Sequence, residues 1–196
     1  MAEKELPVFR PPSRQHWREW LEAHHLEQQG VWLVYSKKKS AIPSLTWSEA
    51  VDEALCFGWI DSKAESIDET TYRQFFCPRK PKSGWSRINK EKIQRLLAAD
   101  QIAPAGLASI ETAKQNGSWT LLDEVETLRL PPDLAHALHQ QPKAEAYFAS
   151  LSRTDKRNLL QWLVLARRPE TRQKRLTEIV ELAEQELKPK QFRGRK

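Results

Sequence analysis

The chain has no run of roughly 18 consecutive apolar residues, so no membrane-spanning helix is expected from it. Nor does it open on a secretory pattern. MAEKELPVFRPPSRQHW is charged and has no apolar central segment, and the expectation is a cytoplasmic protein. Two cysteines, Cys56 and Cys77, are too few for a disulfide framework and read as free thiols. There is no Walker A loop, no G-x-G-x-x-G, no G-x-S-x-G and no H-E-x-x-H, which removes the common signatures of nucleotide-dependent and hydrolytic enzymes. No spacing of His, Cys and carboxylates matches a metal set, so no metal and no cofactor is expected.

What is present describes a polar globular protein. Hydrophobic residues make up 39% and charged residues 30% of the 196, enough for one large or two small domains. The net charge of +6 is unevenly placed. Residues 153–196 carry 13 Lys and Arg against 6 Asp and Glu, whereas residues 1–152 carry 19 against 20, so the whole excess sits in the last quarter. A basic end of this kind suits a nucleic acid or an anionic surface, or forms a solvated helix face with a frayed tail.

Pro7, Pro11 and Pro12 make residues 1–12 an extended arm. Ser13 is placed to cap a helix over Arg14–His25, with Trp17, Trp20, Leu21 and His24 on one face. Gly30–Tyr35 reads as a strand, followed by Lys37-Lys38-Lys39. Thr46-Trp47-Ser48-Glu49 is a capping box opening a helix to Phe57, with Trp47, Val51, Ala54 and Leu55 inward and Gly58 closing it. Trp59–Ile67 and Thr71–Cys77 read as a hairpin turning at Asp68-Glu69. Ser86 or Asn89 caps the next helix, with Ile93, Leu96 and Leu97 apolar. Pro104 fits the first position of another, with Leu107 and Ile110 inward and Gly117 at its end. Trp119–Leu130 is amphipathic but weakly periodic. Helices follow from Pro132, from Lys143, from a cap at Ser152 and from Pro169, the last with an apolar stripe of Leu176, Ile179, Val180, Ala183 and Leu187.

Strands therefore end before about residue 100, and helices alone follow. The expected class is α+β: a small mixed or antiparallel sheet with packed helices, then an all-helical C-terminal bundle. The expected organisation is an arm at 1–12, an α+β domain at 13–130, a helical domain at 131–187 and a disordered basic tail at 188–196.

One stretch departs from the helical pattern. Residues 53–89 bring together Trp59, Asp61, Arg79, Lys80, Trp85, Ser86 and Asn89. Arg79 has the planar fork that suits a carboxylate or phosphate, Lys80 and Lys82 add charge, and a helix opening at Ser86 aims its positive end at an anion. Trp59 and Trp85 could stack a planar ligand. The same residues also suit a structural role, with Asp61 paired to Arg79 and the indoles in the core. Asp61, Glu65, Asp68 and Glu69 are candidate acid–base carboxylates. Cys77 lies beside Arg79 and Lys80, whose charges would favour its thiolate, whereas Cys56 reads as a small buried hydrophobe. His24-His25 and the pair His136 and His139 lack companions for a metal site.

These motifs also carry a resemblance. Glu53–Ser62, Phe76–Lys80, Ser83, Trp85-Ser86, Asn89, Pro104–Leu107, Ala113-Lys114, Gly117–Trp119, Trp162 and Ala166–Arg172 resemble the YdeI/OmpD-associated, or bacteriocin-protection, family over roughly residues 14–187. The resemblance implies a link to tolerance of bacteriocins or cationic antimicrobial peptides and association with an outer-membrane porin, and with it a periplasmic setting, which the N-terminus does not match. It supplies no catalytic residue. The residues themselves point to a non-enzymatic binding protein for a small anion or an acidic partner. The alternatives are an enzyme using Asp61 or Cys77, and a nucleic-acid binder using Arg167, Arg168, Arg172, Lys174 and Arg175.

Overall fold

The computed structural model describes residues 6–37 and 45–193. Lys38 and Lys39, the first five residues of the expected arm and residues 194–196 of the expected tail lie outside the described residues. The chain divides into two compact units, residues 1–83 with 88–119, and residues 84–87 with 120–196. The fold is α+β, with every described strand in the first unit and a helical C-terminal region.

In the first unit the described strands are β1 (Val8–Phe9), β2 (Val31–Ser36), β3 (Trp59–Ser66) and β4 (Thr71–Pro78), in the order β1-β2-β4-β3. β1 runs parallel to β2, and the other two pairings are antiparallel. The arm expected at 1–12 thus contributes a short edge strand, held in part by the Trp32 N–H on Pro7 O at 2.9 Å. Val31, Leu33 and Tyr35 alternate onto the face shared with Gln74 and Phe76, and all five are buried. Trp32 points the other way, yet it too is buried, because the Arg73 guanidinium and Lys63 ammonium lie 4.2 Å and 4.9 Å from its ring centre. The hairpin turn between β3 and β4 is built by Asp68, whose Oδ1 accepts the Thr70 and Thr71 N–H groups at 2.7 Å each.

Helix α1 (Arg14–His24) starts where Ser13 Oγ accepts the His16 N–H, and α2 (Trp47–Cys56) starts at the complete Thr46–Glu49 capping box. Trp17 and Leu21 of α1 are fully buried, and the Trp17 indole N–H donates to Ala50 O at 3.0 Å, locking α1 to α2. Neighbouring rings of Phe9, Trp17, Trp20, Trp59 and Phe76 lie 5.3–6.4 Å apart, a cluster whose Trp17, Trp59 and Phe76 are buried in the core.

Two acids on α2 are buried, and cations from both flanks hold them. Asp52 takes Lys92 Nζ and Arg95 Nη2 of α3 (Arg87–Ala98), each at 2.7 Å. Glu53 takes Arg14 Nε at 2.5 Å and Arg18 Nη1 at 2.9 Å. The hydrogen bond and charge of Glu53 outweigh desolvation at both arginines and raise them further above their ordinary range.

α4 (Pro104–Gln115) approaches α2 at backbone distance. A Cβ at Gly106 would meet Cys56 O at 2.3 Å. That contact selects the stripe Gly106, Ile110 and Ala113, so Leu107, expected inward, is 46% exposed. Trp47 is likewise corrected to 44% exposed. It is the first residue of α2, and its indole N–H reaches Asp61 instead of the core. Leu97 also lies outside, because α3 buries Ile93 and Leu96.

The second unit holds α5 (Asp123–Glu126), α6 (Pro132–His139), α7 (Pro142–Ser150), α8 (Arg153–Val164) and α9 (Pro169–Glu184). Leu134, Leu138, Phe148, Leu159, Leu160, Leu163, Leu176 and Ile179 form much of its core. Four of the five helix starts use devices visible in the sequence: Pro132, Pro142 and Pro169 inside the first turn and the Ser152 cap. The final stripe ends early, since Leu187 is 40% exposed. In the segment expected as a tail from 188, Lys190–Phe192 form a short 3-10 turn. Lys188 pairs with Asp155 at 2.8 Å, and the Phe192 ring meets Trp162 edge-on at 5.8 Å.

Candidate functional site: a groove beside Arg79

Gly58 and the end of β4 begin the site. Gly58 ends α2 at φ +72°, a left-handed conformation that suits glycine, and its carbonyl accepts the Arg79 N–H at 2.9 Å. That bond extends the β3–β4 ladder by one step and fixes where the Arg79 side chain leaves the sheet. A groove of about 270 Å³ opens there. The chain after α1 and α2 and the ends of β3 and β4 supply an apolar wall of Leu26, Phe57, Trp59, Pro78 and Pro81. Helix α4 supplies Ala105, Ala108, Ser109 and Thr112, small or hydroxylic residues at i, i+3, i+4 and i+7 on one face. His25 and Arg79 complete the lining.

Arg79 is the cation of this groove. Burial pulls its guanidinium down to about 10, against the opposing pull of Asp61, so it stays charged at neutral pH. The His25 ring Nδ1 lies 2.8 Å from Leu21 O. A carbonyl only accepts, so Nδ1 carries a proton and Nε2 is the nitrogen left for another partner. Leu26 is 82% exposed, the most open of the large apolar residues in the wall.

The expected site residues are only partly united. Trp59 and Arg79 line the groove. Asp61 lies at a register shift between β3 and β4, and its Oδ2 accepts Trp47 Nε1 at 3.0 Å and Gln74 Nε2 at 3.1 Å. Lys80 is exposed, and its carbonyl accepts the Ser83 hydroxyl at 2.7 Å. Asn89 belongs to the first unit, whereas Trp85 and Ser86 fall in the second. Stacking of a planar ligand between Trp59 and Trp85 is corrected: both are 1% exposed, and the Trp59 indole N–H is spent on His25 O at 3.2 Å. Sequence reasoning missed His25, Ser109 and Thr112 as part of this groove. The signal available was the small-residue period Ala105-x-x-Ala108-Ser109-x-x-Thr112.

The other candidates take structural partners. Glu65 pairs with Arg73 at 2.6 Å and Lys63 at 3.1 Å, and Asp68 builds the turn. At Cys77 burial outweighs Lys80 and pushes the thiol up, opposite to the direction its basic neighbours suggest. Cys56 is buried, with its thiol pushed up to about 11, and both cysteines are free. Among the described residues no group of His, Cys, Asp and Glu could hold a metal, and no helix is long and apolar enough to cross a membrane. In the basic junction, Arg172 forks onto Asp133 at 2.8 and 2.9 Å, and Arg175 donates to Trp162 O at 2.5 Å.

Residues 9–109, which hold most of the groove, match the family model of a domain of unknown function, DUF8412. The chain belongs to the DUF8412 family. Residues 127–186, the helical part after α5, match the model described as Bacteriocin-protection, YdeI or OmpD-Associated. The resemblance seen in the sequence is thus borne out for the C-terminal part, while most of the motif at 53–89 and the groove lie within the DUF8412 match. No curated protein and no solved structure matches the chain.

Proposed function

We propose that this protein is a non-enzymatic binding protein for a small anion, held in the groove beside Arg79. The observation that carries this reading is a guanidinium, largely withdrawn from water, in the wall of a concave apolar site. A charge that has already lost much of its hydration gains more from an arriving anion than a solvated lysine does. Ser109, Thr112 and His25 lie in the same lining and offer polar groups that would orient the ligand. No activated nucleophile supports a reaction at Cys77, and Arg172 and Arg175 are engaged in holding α9 to α6 and α8. The name of the family matched at 127–186 supports a role connected with bacteriocin tolerance.

The test is a thermal-shift and calorimetric screen of small anions on the native protein, on Arg79→Lys and on Arg79→Ala. A ligand that stabilises the native protein by the mass-action amount for its concentration, is weakened by Lys and is lost with Ala, supports the reading. Stabilisation that survives in folded Arg79→Ala would overturn it.

A further inference from the structure

The geometry points to the class of anion: a monocarboxylate with a compact apolar body, not phosphate or a dianion. This rests on the reading of the groove as an anion site and deepens it. Three observations carry it.

The first is charge. Among the described residues the one permanent cation lining the groove is Arg79, and Asp61 acts on it electrostatically. A second negative charge on the ligand would have to leave water against an apolar surface with no second permanent cation among the described lining residues to receive it. Lys80 and Lys82 are exposed and outside the lining, so they do not alter this balance. The second is surface. The lining also holds Leu26, Pro78 and Pro81, which are exposed, with Ala105 and Ala108, an apolar surface that rewards burial of a ligand's carbon body. The third is size. A volume of about 270 Å³ lies just under the range of small-molecule sites, on the order of 300–1,000 Å³. It suits one aromatic ring or short aliphatic chain with its carboxylate. A carboxylate can accept a charge-assisted hydrogen bond from the guanidinium, and Ser109 and Thr112, one helical turn apart on α4, add hydroxyls to the same lining.

The experiment is calorimetry of the native protein with benzoate, acetate, inorganic phosphate and benzyl alcohol. Ala108→Leu serves as the groove-filling variant, since Ala108 is exposed on α4 and the change does not disturb the core. Benzoate is expected to bind on the order of tenfold more tightly than acetate or phosphate. Benzyl alcohol, which keeps the ring and loses the charge, is expected to bind as weakly as they do. Ala108→Leu is expected to abolish benzoate binding while unfolding at the native temperature. Phosphate binding as tightly as benzoate, or more so, and lost with Arg79→Ala, would overturn the monocarboxylate assignment and leave the anion reading intact. Benzyl alcohol binding as tightly as benzoate would overturn both, and so would binding by none of the four. Benzoate binding that is unchanged in Ala108→Leu would overturn the placement in this groove.

Discussion

Replacing Glu53 tests the electrostatic clamp that holds the first helix. Its carboxylate is 4% exposed and binds two arginines from α1, Arg14 at 2.5 Å and Arg18 at 2.9 Å. Removing one partner of a fully buried ion pair costs about 3–5 kcal/mol, because the other charge is left without compensation. Here the arginines are 37% and 26% exposed, so both can regain water, and Arg18 keeps its bond to Gln101 O. The cost of Glu53→Ala is therefore reduced to roughly 2–3 kcal/mol. For a chain of this length that corresponds to a fall in Tm of roughly 5–10 °C. Glu53→Gln keeps the volume and one acceptor oxygen and should fall about halfway between. Urea unfolding followed by circular dichroism measures these losses, and a cycle with Arg18→Met isolates the pair. A coupling of roughly 1–2 kcal/mol is expected. Additive losses in the cycle, or a loss under roughly 0.5 kcal/mol for Glu53→Ala, would refute the clamp.

Two further outcomes follow from backbone and turn chemistry. Asp100 and Glu186 are non-glycine residues in the left-handed region, at φ 53° and 58°, each closing a helix end. Glycine at either site should stabilise by roughly 0.5–1 kcal/mol, with Glu186→Gly gaining more because aspartate tolerates that region better; the reverse order in chemical denaturation would count against the strain. Hydrogen bonds from Thr71 and Thr70 hold the Asp68 carboxyl well below the usual range. Its contribution is therefore complete above the unfolded value of about 4 and is lost as pH falls toward the folded one, so Asp68→Asn should destabilise most near neutral pH and progressively less below about pH 4; a penalty independent of pH would refute the assignment.

Much of the fold could be read because the sequence punctuates it locally. Ser13, the Thr46–Glu49 box, Gly58, Ser152 and the prolines at 132, 142 and 169 act within one turn of where they stand. What escaped depends on distant partners. β1 is two residues long and exists only because β2 is there to pair with it. Asp52 and Glu53 look like surface acids until α1 and α3 bring cations to them from 35–43 positions away. Arg79 was legible as a candidate side chain, but its companions in the groove were not. The groove draws on residues near 25, 58, 79 and 108, which only the folded chain places side by side. Trp59 and Trp85 misled for a related reason: a tryptophan beside charges looks like a binding platform, and burial shows only in three dimensions.

The backbone contact at Gly106 has a consequence for how the groove can change over time. Cys56 O and Gly106 pin α4 to α2 on one side of the helix, while Ala105, Ala108, Ser109 and Thr112 face the groove from another. The helix is thus divided into a side that cannot vary without moving the scaffold and a side whose residues can be exchanged one at a time. Drift among those four positions would change the lining of the groove while the hinge of the two helices stays put, so otherwise superimposable copies of this domain would differ in the shape and polarity of this one surface.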